Sequence, residues 1–258
     1  MNNNEVFLNA SEHLFNLSFA ETLMLRNYSK INKLSFCTMA GGSESIRDIQ
    51  EAKNLQADGL EFNMVESLFA LDKIFNSIIK IFSNKDSIDK LKIFINIASP
   101  DGMKLTTIIR DLILPSEFKH SNIIFNFDRR SLIKTFYDIK NDNFQSLDYE
   151  ENINPLIYDS IRILEENGFE SSLSGGINRA SLENILNSTT RIGYLKTGLF
   201  TIKLKKKNLI DLFQDIYFYQ KCEAKLLKLM SDSINFRFNY INQRHIHLMN
   251  YLAEVKNL

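Results

Sequence analysis

Two short runs of β-branched and aromatic residues decide the fold: KIFINI at residues 92–97 and NIIFNF at residues 122–127. Each run is bounded by polar residues, which is typical of a β-strand. Residues 101–114, between the two runs, have a composition that favours a helix. A strand, a helix and a second strand in this order form a unit of parallel sheet with the helix packed outside it.

The same alternation extends in both directions from these two runs. Further strands are predicted at residues 13–19, 34–39, 59–64, 169–173 and 192–196, with an eighth at 199–204. Helices are predicted at residues 20–30 and after the Gly41-Gly42 turn, where Ser43 is the expected N-cap. Eight such strands predict an α/β fold, a single (β/α)8 TIM-type barrel over residues 1–204.

The remainder, residues 205–258, is predicted to be a long C-terminal helical extension. No Gly or Pro occurs after Gly198, and apolar residues recur on several sides of the expected helices at residues 208–255. A helix that is apolar over more than one face is buried or packs on a partner. We therefore expect these helices to pack on the barrel or on a partner subunit, giving a homo-oligomer. Residues 140–154 are the best loop candidate.

Composition excludes some classes of function. The chain has 258 residues, with Lys+Arg and Asp+Glu both at 31, so the basic excess expected of a nucleic-acid-binding protein is missing. No apolar run approaches the roughly 20 residues that span a bilayer, and no secretory signal is visible. Two cysteines give no disulfide framework. We expect a cytoplasmic protein that binds a small-molecule substrate, without nucleic-acid or membrane partners.

Candidate site residues follow the strands, because functional groups of parallel α/β folds lie at the carboxyl ends of strands. Asp128 is either a ligand of Mg²⁺ or Mn²⁺ or the N-cap of the next helix. Glu66 is either a first-turn helix residue or a polar group in the barrel mouth. The backbone amides of Ser174-Gly175-Gly176 could hold an anion, and Lys196 ends a later strand.

Several segments together resemble the HpcH/HpaI aldolase/citrate lyase family. They are GGSESIRDI at residues 41–49, EAK at 51–53, GL at 59–60 and MVES at 64–67. The likeness continues at Asn96, Asp128 and the glycine pair at 175–176.

The resemblance implies a (β/α)8 barrel that assembles through its C-terminal helices. It also implies a carbon–carbon lyase or aldolase that acts on a small 2-oxo acid or related acyl substrate, assisted by Mg²⁺ or Mn²⁺. On this basis we expect the catalytic residues to be Glu44, Glu66, Asn96 and Asp128. The expected ligand-binding residues are Gly41, Gly42, Ser174, Gly175 and Gly176.

The sequence departs from the family pattern at the barrel mouth. The family's second metal-binding carboxylate, a glutamate, corresponds to Ala98 in this chain. Asp101, three residues further on, is therefore the alternative ligand beside Asp128. Where the family pattern has a proline before the MVES segment, this chain has Asn63. Where the family pattern has an arginine two residues before Asp128, this chain has Asn126. Three hypotheses remain: a metal-assisted lyase, a diverged barrel that performs other chemistry or only binds a ligand or partner, and an enzyme that holds a phosphate at residues 174–176. Whether the chain is an enzyme therefore stays open.

Overall fold

A computed structural model of the chain describes residues 6–10, 19–41, 45–140, 150–175, 182–183, 191–204, 209–233 and 249. Within this part of the chain the strands are β1 (Val6–Ala10), β2 (Ser35–Ala40), β3 (Gly59–Phe62), β4 (Lys92–Ile97), β5 (Ile123–Asp128), β6 (Glu170–Ser174), β7 (Tyr194–Thr197) and β8 (Phe200–Lys203). They form a closed barrel in chain order. The predicted barrel is therefore confirmed, including the strand proposed near residues 199–204.

The last strand runs in the opposite direction to the others. Strands β1 to β7 pair parallel in sequence, whereas β8 pairs antiparallel with both β7 and β1. Only Gly198 and Leu199 separate β7 from β8, and Gly198 has a φ of 54°. A parallel connection needs about a dozen residues or more. The expectation of eight repeated strand–helix units is thus wrong at its final unit.

The first strand also differs from the prediction. It is Val6–Ala10, which pairs with both β2 and β8, and Phe19 already begins the first helix. The predicted strand at residues 13–19 otherwise lies outside the described residues. The run at residues 13–19 mixes apolar and polar residues as a half-buried strand does, whereas β1 begins with three consecutive apolar residues, so local pattern favoured the later run.

The helices are α1 (Phe19–Ile31), α2 (Ile46–Asn54), α3 (Leu68–Phe82), α4 (Lys85–Ile88), α5 (Pro100–Thr107), α6 (Arg129–Phe136), α7 (Glu150–Glu166) and α8 (Leu209–Ser233). Ser45, rather than Ser43, is the N-cap residue of α2. Part of the predicted loop at 140–154 is helical, because α7 begins at Glu150. Residues 141–149 lie outside the described residues.

Apolar side chains form two separate clusters, one between the barrel and its surrounding helices and one inside the barrel. Alternate strand residues such as Phe36, Ile95 and Phe125 join the helices in one large buried cluster. The opposite strand faces provide a smaller cluster: Phe7, Cys37, Phe94, Ile124 and Tyr194. Because strand residues alternate between faces, this smaller cluster fills the barrel interior. We call these five residues the floor.

Helix α8 packs on the barrel of its own chain. Leu212, Ile216, Leu226 and Met230 are buried within the large cluster. Glu223, also on α8, is fully buried beside Gly198 of the β7–β8 turn. Phe218 and Leu229 are exposed on the same helix, and a homo-oligomer formed through this extension stays a prediction. Among the described residues, no helix has the length and apolarity that crossing a bilayer requires.

The β7–β8 turn should be intolerant of a side chain at Gly198. An added Cβ would overlap the Glu223 carboxylate, and a non-glycine residue at this φ is strained by about 1–3 kcal/mol. We expect Gly198→Ala to lower the free energy of unfolding by at least about 2 kcal/mol in urea titrations. The control is Gly102→Ala in α5, where the added atom meets ordinary contacts of 3.5 Å. Equal stability of the two variants would contradict the described turn.

Candidate functional site

A layer of polar side chains lies directly above the floor. Asn9, Asn96, Asn126 and Lys196 each follow a floor residue by two positions on the same strand. They therefore face the interior and lie one step closer to the carboxyl ends of the parallel strands. With Glu61 and Thr201 these residues form what we call the mouth layer. The polar layer thus occupies the end of the barrel where α/β barrels bind their ligands.

The centre of the mouth layer is an ion pair between Glu61 and Lys196. The Lys196 Nζ donates to Glu61 Oε1 at 2.6 Å and to Oε2 at 2.8 Å. Glu61 lies on β3 and Lys196 on β7, and three strands separate them in either direction around the barrel. The side chains are 2% and 11% exposed, respectively. Two opposite charges are thus held away from bulk water, where their interaction is strong but their desolvation is costly.

A chain of carboxamides extends from this ion pair across the mouth. The Asn96 Nδ2 donates to Glu61 Oε1 at 2.5 Å and also contacts Asn63 Oδ1. The Asn126 Nδ2 donates to Asn96 Oδ1 at 2.7 Å and contacts Ser174 Oγ at 3.1 Å. Charge at Lys196 and Glu61 is therefore connected by hydrogen bonds to β4, β5 and β6.

Some buried polar atoms of the barrel interior lack a hydrogen-bond partner among the described residues. They are Asn9 Oδ1, Asn126 Oδ1 and Ser172 Oγ. Ser172 aligns with Asn126 and Tyr194 on its neighbouring strands and so faces the same interior. A buried acceptor without a partner costs about 1–3 kcal/mol. These atoms could accept hydrogen bonds from water or from the hydroxyl groups of a bound molecule.

Asp128 caps the helix that follows it. Its Oδ1 accepts from the Ser131 backbone N–H at 3.2 Å and its Oδ2 from the Ser131 hydroxyl at 2.8 Å. Gly175 lies against this carboxylate, because a Cβ there would overlap Asp128 Oδ1. Of the two roles that the sequence left open for Asp128, the geometry shows the N-cap.

The other expected site residues are distributed around the mouth. Glu66 accepts a hydrogen bond from Ser99 Oγ, and Ser99 is the N-cap of α5. Asp101 is exposed and pairs with Lys104 at 2.7 Å, one turn along α5. The Gly41 N–H donates to Asp48 Oδ2 of α2 at 2.8 Å. Thus Asn96 belongs to the mouth layer and Ser174 contacts it through Asn126. Asp128 and Gly175 adjoin each other, and Asp101 pairs with Lys104. Gly42, Glu44 and Gly176 lie outside the described residues.

The described residues do not fit the two-carboxylate metal site that the family resemblance implies. Ala98 has no ligand atom, Asp101 pairs with Lys104, and both Asp128 oxygens accept hydrogen bonds at the start of α6. The described part of the chain also contains no group of three or more His, Cys, Asp or Glu side chains placed to hold a metal ion. Hard cations need several oxygen ligands. Binding of Mg²⁺ or Mn²⁺ is thus implied by the resemblance alone, and the described residues offer it no ligand set.

Sequence reasoning missed Glu61 and the partnership of Lys196. Glu61 lies within a predicted strand, where a charged residue looked like part of the strand rather than of the site. The alternation of strand residues could have identified it. Gly59 aligns with Cys37 of the floor, and Glu61, two positions later on the same strand, therefore also faces the barrel interior. Its partner on β7 could not be identified without the barrel closure.

Comparison with solved structures supports the family likeness at the level of fold. No protein-family model and no curated protein matches the sequence. The crystal structure of citrate synthase SbnG superposes with a TM-score of 0.55 at 9% identity, covering 88% of this chain and 84% of that chain.

Two further structures carry the family's name. An HpcH/HpaI aldolase from Desulfitobacterium hafniense DCB-2 gives a TM-score of 0.54 at 13% identity, covering 73% of this chain and 74% of that chain. An HpcH/HpaI aldolase/citrate lyase family protein from Burkholderia cenocepacia J2315 gives 0.52 at 8% identity, with coverages of 72% and 76%. The resemblance inferred from residues 41–67 is thus confirmed as a likeness of the barrel.

Substitutions at Asp128 separate a helix cap from a metal ligand. Asp128→Ala removes both hydrogen bonds to Ser131 and should cost about 1 kcal/mol of unfolding free energy, whereas Asp128→Asn keeps an acceptor and should cost less. We expect the thermal midpoint with pyruvate to be the same in EDTA and in Mn²⁺ for all three proteins. An upward shift with Mn²⁺ that both variants lose would instead establish a metal site at Asp128.

Cys37 reports whether the floor is closed to solvent. Burial raises the pKa of the Cys37 thiol well above its ordinary value, and the nearby Glu61 carboxylate raises it further. The reactive thiolate is therefore scarce in the folded state. In Cys222→Ser protein, we expect iodoacetamide at pH 8 to modify Cys37 only as fast as the chain unfolds. Modification of the folded protein at the rate of a free thiol would show that solvent reaches the floor residues.

Proposed function

We propose that this protein is a carbon–carbon lyase of the aldolase type that acts on a small hydroxylated 2-oxo acid or related acyl compound. The bond would be broken at the mouth layer, beside Lys196 and Glu61. The observation that carries the proposal is the buried Glu61–Lys196 pair at the carboxyl end of the barrel. The likeness to citrate synthase and aldolase barrels supports the choice of reaction class.

The ion pair supplies the two properties that such a reaction requires. Breaking a bond next to a carbonyl leaves negative charge on the carbonyl side, and a cation in a water-poor site stabilises that charge. Lys196 is such a cation, with 11% of its side chain exposed. The reaction also requires a group that accepts the proton of the substrate hydroxyl. Glu61 is a carboxylate within 2.8 Å of the ammonium.

Three buried polar atoms in the mouth layer and beside it favour a hydroxylated ligand. Asn9 Oδ1 and Asn126 Oδ1 are acceptors without partners among the described residues, and Ser172 Oγ can accept as well as donate. Hydroxyl groups of a substrate could donate to them. The apolar floor beneath limits the ligand to a small molecule that enters from the mouth.

The phosphate hypothesis for residues 174–176 receives less support. The Asp128 carboxylate lies against Gly175, and its negative charge would repel an anion held there. Gly176 lies outside the described residues. The second candidate is therefore a barrel that binds an oxo acid without cleaving it, which the replacement of family residues by Asn63, Ala98 and Asn126 favours.

Pyruvate release from a panel of 4-hydroxy-2-oxo acids tests the proposed reaction. The assay is performed in EDTA and repeated with Mn²⁺, using wild-type protein, Glu61→Gln and the half-exposed control Glu51→Gln on α2. We expect at least one substrate to be cleaved in EDTA. Glu61→Gln should lose about 10²–10⁴-fold in rate, the usual contribution of a general acid–base group, and Glu51→Gln should retain activity.

Two outcomes would contradict this function. If no substrate is cleaved but oxo acids raise the thermal midpoint, the protein is the binding barrel of the second candidate. If cleavage occurs but Glu61→Gln retains the wild-type rate, the reaction takes place elsewhere in the molecule.

A further inference from the structure

We propose that Lys196 forms a covalent imine with the carbonyl carbon of the 2-oxo acid, so that cleavage needs no metal ion. This inference rests on the proposed function, which it deepens by assigning the electron sink to a residue of the chain. Lysine amines form imines with carbonyl substrates when the surroundings allow the amine to lose its proton. The site has the three features that this chemistry requires: an amine at the mouth, a proton acceptor beside it and a water-poor environment.

The Lys196 side chain belongs to the mouth layer of the barrel. Lys196 lies near the carboxyl end of β7, one residue before Thr197, after which the chain turns at Gly198. Its side chain retains 11% exposure, whereas its partner Glu61 is 2% exposed. Below the pair lie the rings of Phe7, Phe94 and Tyr194, with Phe94 at 5.3 Å from Phe7 and 6.1 Å from Tyr194 between centroids. A carbonyl that enters the mouth would therefore meet the Nζ atom before it meets the carboxylate.

Glu61 can take the proton that keeps the amine unreactive. Both carboxylate oxygens lie within 2.8 Å of Nζ, so the transfer requires no movement of the backbone. The Asn96 Nδ2 donates to Glu61 Oε1 at 2.5 Å and fixes the orientation of the carboxyl group during this exchange.

The reaction balances without an external oxidant or reductant. The neutral Nζ attacks C2 of the 2-oxo acid, and Glu61 relays protons so that the former carbonyl oxygen leaves as water. The net change is that the ammonium and the carbonyl give an iminium and one water, with Glu61 a carboxylate before and after. The C3–C4 bond then breaks, its electron pair moves into the C–N system as an enamine, and the C4 hydroxyl proton passes to Glu61. The aldehyde leaves, C3 takes up the proton, and water hydrolyses the iminium to release pyruvate and Lys196.

Lys92 provides an internal control for this assignment. Burial, the largest cause, lowers the pKa of Lys92, so that its amine loses a proton more readily than that of an exposed lysine. However, Lys92 is the first residue of β4, at the opposite end of the barrel. Its Nζ donates to the Ser121 carbonyl at 2.9 Å and to Asn122 Oδ1 at 2.7 Å. A reagent that selects lysines by basicity alone would label Lys92, whereas a site at the mouth would label Lys196.

Borohydride trapping tests the imine directly. The full chain is incubated in EDTA with pyruvate, reduced with sodium borohydride, digested and mapped by mass spectrometry. We expect one reduced pyruvate adduct, located on Lys196. Lys196→Arg keeps a cation beside Glu61 but has no amine for imine formation, so it should give no adduct while retaining a cooperative thermal transition. The matched control Lys92→Arg should be labelled like the wild type, and Glu61→Gln should be labelled at least tenfold more slowly.

The outcomes distinguish this inference from the proposed function. Cleavage of 4-hydroxy-2-oxo acids in EDTA without an adduct on Lys196 would overturn the imine and leave the lyase. An adduct on Lys196 without cleavage of any substrate would support the imine and overturn the lyase. Labelling of Lys92, or equal labelling of many lysines, would overturn the assignment to Lys196.

Discussion

The ion pair between Glu61 and Lys196 is the constraint on which the interior of this barrel depends. It joins strands β3 and β7 across the barrel and replaces water that two buried charges would otherwise require. The pair also orients two carboxamides. Asn96 donates to Glu61 Oε1, and Asn126 in turn donates to Asn96 Oδ1. The described interior is thus divided into an apolar floor and a polar mouth layer, and the proposed reaction takes place at the mouth layer.

The reversed last strand places one end of this ion pair. Lys196 aligns with Thr201 across the β7–β8 hairpin, and Thr201 accepts a hydrogen bond from Asn9 at 2.7 Å. Helix α8 supports the turn through Glu223, which packs against Gly198. The position of Lys196 therefore depends on the C-terminal helix as well as on the barrel, which links the extension to the site. Among the described residues, the carboxylate of Asp128, the expected metal ligand, instead accepts hydrogen bonds at the start of α6.

The central strands were predictable because their sequences are bounded runs of β-branched and aromatic residues. KIFINI became β4 with its predicted bounds, and NIIFNF became β5 with a shift of one residue. The direction of β8 does not follow from its apolar pattern. It follows from the connection, because two residues between β7 and β8 are too few for a parallel crossover. For the site, period two identifies Asn96 and Asn126 as inward residues. The contact between Glu61 and Lys196 joins residues 135 positions apart and requires the closed barrel.

A double-mutant cycle on Glu61 and Lys196 tests the central claim most directly. The free energy of unfolding in urea is measured for the wild type, Glu61→Gln, Lys196→Met and the double variant. If the two side chains form a buried pair, each single substitution leaves a buried group without its partner and costs about 3–5 kcal/mol. The double substitution should then cost at least about 2 kcal/mol less than the sum of the two. Additive losses would show that the two groups do not interact and would contradict this description of the site.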